Sequence, residues 1–454
     1  MSLLYNGAIN ALRRNVFDPL YYHLINSSRP GYWRKLEKTQ YLPEKELKVI
    51  QWQRLCSLLN YAWLNNDFYR NRFDKAGVSP ADITCPDDMR KLPILTKADI
   101  REQNQKIISR GFDIETLLKM KTGGSTGRSL EVYLTEECSE RRNACARRHD
   151  RWSGWELGEP IAAVWGNPYI PSTLKGKLKE WIVSPIIYLD TMCLNRQAVE
   201  VFAEQWDIVK PTLLFGHAHS IFMLAQQVSE LGIENIRPRG IISSSMMLLA
   251  HERTVIEDVF KVRVTNRYGC EEVSLIASEC ECHNGMHLNI EHLFIEFIKD
   301  DGSPSKPGEP GKIVVTDLYN QAIPLIRYQV EDIGVPTERK CDCGRGLPLM
   351  EGVVGRVADF LRKRDGSQVA GISLIENTLT KYPGLDQMQI VQNDFEDIYI
   401  RLVVGKAFKD DTLIELTMFF KKIFGINLKL EFDLVDAIKP EQSGKYRFTI
   451  CKIN

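Results

Sequence analysis

Lys121-Thr122-Gly123-Gly124-Ser125-Thr126-Gly127-Arg128 runs directly into Ser129-Leu130-Glu131-Val132-Tyr133-Leu134, and the reading of this stretch decides the rest. Glycine allows positive φ and lets backbone N–H groups approach an anion closely. The Ser and Thr hydroxyls add adaptable donors, while Lys121 and Arg128 bring positive charge to either end. Together these are the properties of a loop wrapped around phosphates. The spacing and the missing Lys-Ser/Thr ending exclude the P-loop pattern. A hairpin turn ahead of an alternating strand has the same composition, so both readings stand at this point.

The chain has 454 residues, enough for two or three domains. An apolar content of 44% and a charged content of 26% are those of an ordinary globular protein. Basic and acidic residues balance at 59 each, so total charge draws the chain neither to nucleic acid nor to anionic membrane. No run approaches the ~20 apolar residues of a membrane span, and Met1–Pro30 lacks the continuous apolar segment of a secretory signal. Closely spaced cysteines among the eleven point to a metal and a reducing compartment rather than to disulfides. The expected location is cytoplasmic.

Outward from the loop, Glu44–Phe73 carries a helical pattern through Leu47, Ile50, Leu55, Leu58, Leu59 and Ala62. Thr96 with Asp99 has the form of a helix N-cap. Glu136–Trp152 reads as a charged helix. Strands are then expected at Ile161–Trp165, Thr212–Gly216 and Ile241–Ser245, with helices near Arg196–Ile208, Ser220–Glu230 and His251–Phe260. That alternation predicts parallel βαβ units in an open sheet, with a site at the carboxyl ends of the strands. From His292 the strands look antiparallel. A boundary is expected near Val353–Asp365, before a smaller α+β unit.

Three clusters carry nucleotide-like chemistry. Asn266-Arg267-Tyr268-Gly269-Cys270-Glu271-Glu272 is expected just after a strand Val262–Thr265. There Tyr268 beside Gly269 can stack on a flat base, and Glu272 can hold Mg²⁺ against phosphates. Asp332 is expected at a strand-to-loop exit, where a carboxylate accepts hydrogen bonds from both hydroxyls of a ribose. Lys445, after Ser443-Gly444, can reach into a cleft as a point charge. The ordinary readings are a solvated acidic pair, a turn aspartate and a solvated lysine. A fourth cluster, Cys280-Glu281-Cys282-His283 through His287 with Cys341-Asp342-Cys343, suits tetrahedral structural Zn²⁺. The expected ligands are Cys280, His287, Cys341 and Cys343, with Cys282 or His283 as the alternative.

In this order, the motifs resemble the adenylate-forming superfamily, and within it the phenylacetate–CoA ligase family with its capsular-polysaccharide relatives. Asn66–Phe73, Leu92-Pro93-Ile94-Leu95-Thr96-Lys97, Ile323-Pro324-Leu325-Ile326-Arg327-Tyr328 and Cys341-Asp342-Cys343-Gly344-Arg345 narrow it to that family. The resemblance spans roughly Leu42 to the end. It implies a large N-terminal adenylation domain of open mixed or parallel sheets over residues 1–354, with 1–45 as an extension and 280–345 holding the zinc. A small mobile α+β lid would occupy 355–454.

The resemblance also implies roles. Thr122, Gly123, Gly124, Ser125, Thr126 and Gly127 would grip ATP phosphates, and Tyr268 with Gly269 would take adenine. Asp332 and Arg356 would serve the ribose, Glu272 would hold Mg²⁺, and Lys445 would bridge the substrate carboxylate and the α-phosphate. The implied activity is an ATP-dependent carboxylic acid–CoA ligase working through acyl-AMP. The alternative is an adenylate-forming ligase of capsular polysaccharide biosynthesis with a non-CoA acceptor. Expected partners are a carboxylic acid, ATP and CoA; homodimer formation is compatible with them. Trp165, His217, Ser244 and Met246 are the acyl-pocket candidates. Arg128, Met246 and Ala358 stand where the family commonly has lysine, glutamate and aspartate.

Overall fold

The helical run that begins at Glu44 breaks at Asn66 rather than continuing to Phe73. Asn66 is extended at φ −133°, and its side-chain oxygen accepts a hydrogen bond from the Tyr69 amide at 3.1 Å. An asparagine side chain competes with the helical ladder in this way, so it ends one helix and caps the next. The second helix, Asp67–Ala76, stops at Gly77, which takes the left-handed φ of +65° that glycine tolerates. Thr96 and Asp99 form the expected reciprocal cap ahead of Lys97–Gln103, with N···O distances of 2.8 and 3.1 Å.

The computed structural model describes residues 2–121, 130–166, 171, 173–183, 185–354, 360–379, 381–405, 407–409, 411–438 and 447–453. The glycine loop's residues 122–129 lie outside these, but its flanks are defined. Leu118–Lys121 pairs antiparallel with Glu131–Leu134, from Leu118 opposite Leu134 to Lys121 opposite Glu131. Leu118–Lys121 and Glu131–Leu134 thus form a two-stranded sheet of their own.

Eleven strands form the main sheet among the described residues. Ile186–Asp190, Ile161–Trp165, Leu213–His217, Gly240–Ser244 and Val264–Cys270 are neighbours in that order and run parallel. Helices Arg196–Val209, Ala218–Leu231 and Ala250–Phe260 connect them. This is the expected βαβ alternation, with the helix Leu174–Val183 and the edge strand Ile186–Asp190 added. Beyond Val264–Cys270 the pairing turns antiparallel, through Ser274–Ser278, Met286–Leu288, Leu349–Val354, Tyr328–Pro336, Gly311–Asp317 and Leu293–Ile298. The class is α/β with a large mixed sheet.

Two local expectations are corrected. Tyr268 and Gly269 do not follow a strand ending at Thr265; they lie inside the strand Val264–Cys270, with Tyr268 opposite Ala277. Asp332 is likewise mid-strand in Tyr328–Pro336, not at its exit. Tyr268 is carried by its pairing with Ser274–Ser278, whereas Val330–Asp332 bulge between the ladder pairs Gln329–Val314 and Ile333–Lys312, after which the pairing resumes.

From Phe360 the chain makes the hairpin Phe360–Arg362/Gln368–Ala370, the helix Gly371–Leu379 and a four-stranded sheet of its own. Its core is continuous with that of the parallel half: Leu374, Ile375 and Leu379 pack in one cluster with Leu194, Val199 and Phe202. Leu194 and Gln368 exchange backbone hydrogen bonds at 2.8 and 2.9 Å. The Thr191 and Ser373 hydroxyls meet at 2.9 Å, and the Asn377 amide donates to the Gly166 carbonyl at 3.0 Å. Gly166 is required here, because a Cβ at this position would collide with the Ser373 hydroxyl.

Candidate active site

The motifs quoted for the resemblance are packing partners. Tyr69 is fully buried; its hydroxyl donates to the Pro324 carbonyl and accepts from the Ile326 amide at 3.0 Å. Leu95 pairs with the strand Tyr328–Pro336, donating to the Arg327 carbonyl at 2.8 Å and accepting from the Gln329 amide at 2.9 Å. Arg327 forks onto Glu296 at 3.0 and 3.1 Å and also donates to the Leu92 carbonyl. These ties fix Lys97 at the start of its helix, pointing into the protein.

Lys97 is 4% exposed, and its Nζ lies 2.9 Å from Glu331 Oε2 and 3.7 Å from Glu272 Oε1. The Tyr328 hydroxyl donates to Glu272 Oε1 at 2.9 Å. Burial would raise the Glu272 carboxyl, but Lys97, the backbone amide and the Tyr328 and Cys270 hydrogen bonds outweigh it and hold the group below its ordinary range. Glu272 is therefore ionised at neutral pH, as a magnesium ligand must be. The cation it faces here is Lys97, so a magnesium ion arriving with ATP would share this carboxylate.

One residue beyond Glu331, Asp332 accepts a hydrogen bond from the Tyr268 hydroxyl at 2.9 Å. The proposed adenine and ribose contacts are thus side by side. Arg327 and Glu331 both adopt positive φ, +53° and +70°, uncommon for such residues and concentrated beside Asp332.

The acyl-pocket candidates sit at the carboxyl ends of the parallel strands. Trp165 stacks on Phe215 with ring centres 5.4 Å apart and planes at 7°, and lies 3.8 Å from the His217 ring. His217 and Ser244 are register partners on adjacent strands. Ser245 follows at φ +64°, and the Met246 amide closes a tight turn on the Ser244 carbonyl at 2.8 Å.

Cys280, His287, Cys341 and Cys343 converge, all their ligand atoms within 4.8 Å of one another. Cys280 Sγ is 3.5 Å from Cys341 Sγ, and Cys343 Sγ is 3.3 Å from His287 Nε2. His287 Nδ1 is satisfied by the Leu347 carbonyl at 3.0 Å, which presents Nε2 to the cluster as a metal-binding imidazole requires. Burial raises the Cys343 thiol, yet hydrogen bonds from His287 and Arg345 bring it down to about 6, while burial pushes Cys341 up to about 11. The alternative ligands do not join: His283 faces Glu279 at 3.3 Å, and the Cys282 amide donates to Cys280 Sγ at 3.4 Å. The donor set and its orientation fit a tetrahedral zinc ion.

Residues Thr122–Gly127, Arg356, Ala358 and Lys445 lie outside the described residues. Sequence reasoning missed the burial of Lys97 and the role of Glu331; a lysine just inside a helix cap reads as solvated unless its tertiary partners are known. It also missed a second buried cluster, Cys138, His292 and Asp317. There Arg142 pairs with Asp317 at 2.7 Å and His292 with Asp317 at 3.4 Å. Burial opposes the His292 charge, but Asp317 prevails and holds the imidazole well above its ordinary value.

The chain is homologous to CapK and to the phenylacetate–CoA ligases, and residues 361–452 match the family model described as the CapK C-terminal domain. It is 26% identical over 415 residues to Protein CapK of Staphylococcus aureus, covering 90% of each chain. To phenylacetate-coenzyme A ligase of Escherichia coli (strain K12) it is 26% identical over 337 residues, covering 72% of this chain and 75% of the other. The solved structure of 2-hydroxyisobutyryl-CoA ligase in complex with 2-HIB-AMP and CoA, in the thioesterification state, has the same fold, with a TM-score of 0.61 at 18% identity over 92% of each chain.

Proposed function

We propose that the chain is an ATP-dependent acid–CoA ligase. The observation that carries this reading is the joining of Tyr268 and Asp332, an aromatic face and a carboxylate suited to ribose hydroxyls, in a site that also holds an ionised Glu272. A substrate carboxylate attacks the α-phosphorus of ATP, the bond to pyrophosphate breaks, and acyl-AMP forms. The CoA thiol, losing its proton, then attacks the acyl carbon and AMP leaves. Bringing the anionic carboxylate to an anionic phosphate demands cationic neutralisation and in-line positioning.

In this reading Thr122–Gly127 grip the phosphates, Arg356 assists at the ribose, and Lys445 spans the carboxylate and α-phosphate. Glu272 holds the Mg²⁺ that enters with ATP, which supplies charge neutralisation. Residues 1–354 form the adenylation domain and 355–454 the lid. The zinc ion is structural, because four protein ligands leave no open coordination position. The aromatic group of Trp165, Phe215 and His217 supports an aryl or arylacetic acid as substrate.

A second reading has the same adenylation but a non-CoA acceptor in capsular polysaccharide biosynthesis. The extent of the CapK match, 90% of each chain, favours it. Pyrophosphate release from ATP and Mg²⁺ across a panel of carboxylic acids, with and without CoA, tests both. Acid-dependent release that turns over only with CoA supports the first, release indifferent to CoA supports the second, and silence across the panel overturns both.

A further inference from the structure

Two neighbouring helical elements turn apolar faces to solvent. One is the continuous run of Ser2–Leu12, the π-helical turn Arg13–Phe17 and Asp18–Leu24; the other is the helix Leu174–Val183. On the first, Leu12, Val16, Leu20 and Leu24 recur every fourth residue and are all exposed, Leu24 to 73%. A four-residue repeat drifts by about 40° per step on an α-helix. The wider π turn drifts the other way and keeps the stripe on one side. On the second, Leu174, Leu178 and Trp181 share a face at i, i+4 and i+7, exposed to 86, 56 and 62%.

The elements lie side by side. Arg13 donates to the Trp181 carbonyl at 3.1 Å, and the Lys179 ammonium stands 4.9 Å from the Tyr21 ring centre. With Ile25, eight of the nineteen exposed large apolar side chains among the described residues fall here, so the patch is a concentration rather than ordinary scatter.

Charge indicates what covers it. The chain as a whole is balanced, yet these elements carry Arg13, Arg14, Lys175, Lys177 and Lys179 against only Asp18 and Glu180. Asp18 and Arg13 are both withdrawn from the surface, 1% and 6% exposed, and Arg14 lies 3.9 Å from Glu156, so the excess of positive charge rests on the second helix. A second copy of the same patch would set like charges against each other, whereas an anionic surface complements it. Leucines with tryptophan and tyrosine beside lysines are the composition of helices that lie in a lipid interface. No described helix is long and apolar enough to cross a membrane.

We propose that this face docks the protein on an anionic phospholipid surface, with Leu20, Leu24, Leu174, Leu178 and Trp181 entering the headgroup–acyl boundary and Lys179 meeting lipid phosphates. The reading is independent of the reaction catalysed. Flotation of the full chain with vesicles of phosphatidylcholine alone, or of phosphatidylcholine with phosphatidylglycerol, at low and high salt, tests it. The expected result is co-flotation that requires phosphatidylglycerol and weakens with salt, falling at least about five-fold in a Leu174→Ser/Leu178→Ser/Trp181→Ser variant. The substituted side chains face solvent, so the variant keeps its fold. Wild type left in the soluble fraction, or floating equally with both vesicles at both salts, overturns the proposal. So does a wild-type dimer in light scattering that the triple substitution converts to monomer, since the patch would then belong to a second copy.

Discussion

The hydroxyl of Tyr268 donates to Oδ2 of Asp332 at 2.9 Å although three strands separate their own in the sheet order. Laid flat at the usual strand spacing the two strands would stand about 19 Å apart. The antiparallel half therefore curls back on itself, and this curl brings the nucleotide-binding candidates together. Tyr268→Phe keeps the stacking face and deletes the bond; ATP–pyrophosphate exchange should show KM for ATP raised several-fold with kcat little changed. Asp332→Ala should cost about 2 kcal/mol or more in kcat/KM, because it removes the acceptor itself. Equal kinetics for Asp332→Ala and wild type would exclude a ribose role.

Lys97 is the cation between two carboxylates. Lys97→Met leaves Glu272 without its partner in a buried setting, and chemical denaturation should show a loss of about 3–5 kcal/mol at neutral pH. The sign follows from the lowered Glu272 carboxyl: its stabilising contribution is present above the unfolded carboxyl value and fades as pH falls through the folded one. The gap between wild type and variant should therefore narrow below pH ~4. A gap independent of pH would show that lost packing, not charge, is responsible.

Metal content is a separate question. Purified protein should carry about one zinc per chain, and Cys341→Ser/Cys343→Ser should lose both the metal and several kcal/mol of stability. Elemental analysis with a thermal melt decides this, and a metal-free wild type as stable as the zinc-loaded protein would end the assignment.

Docking of the helix Gly371–Leu379 depends on the missing side chain at Gly166. Gly166→Ala should push Ser373 away and break the Asn377–Gly166 contact, read as faster hydrogen exchange across Gly371–Leu379. Thr191→Val, losing only the Ser373 partner, should show a weaker form of the same change, about 1 kcal/mol. Unchanged exchange in the glycine variant would mean that the close approach is not maintained in solution.

Asp18 is buried, and its two carboxylate oxygens have no hydrogen-bond partner among the described residues. Burial pushes its carboxyl up to about 6 against the opposing pull of Arg147 and Arg29. An acid with a raised folded value binds its proton more tightly when folded, so its ionisation costs stability as pH climbs from about 4 to 6. In thermal melts Asp18→Asn should be more stable than wild type at pH 7, by about 3 kcal/mol at most, with the difference nearly gone at pH 4. Destabilisation at both values would reveal a partner for the carboxylate.

Much of this was legible in the sequence because it is written in local pattern. The helix Glu136–Trp152 has a Thr135 cap and a charged face, and its bounds are those the periodicity gave. The parallel strands are short apolar runs that alternate with amphipathic helices. Cys-x-Cys pairs with a nearby histidine mark a ligand set by chemistry alone. Tyr268 and Asp332 were recognisable as residues but not as mid-strand positions, since the pairing that carries each strand on past a bulge is not written in the local pattern. The Asn66 break competes with an uninterrupted apolar pattern and needs its side-chain hydrogen bond to be seen. The burial of Lys97 depends on Leu95 pairing beside Tyr328, a contact spanning more than half of the chain.

Tyr268 and Asp332 are embedded in a curled ladder braced by Tyr69, Arg327 and Lys97, whereas Trp165, Ser244 and Met246 sit at strand tips. Change should therefore be tolerated very unevenly during divergence. A substitution near Tyr268 and Asp332 disturbs strand pairing and buried charge at once, so drift there is purged. At the tips a new side chain alters little beyond what it touches. A lineage built on this scaffold can vary what the strand tips touch by small steps while the Tyr268–Asp332 region stays constant.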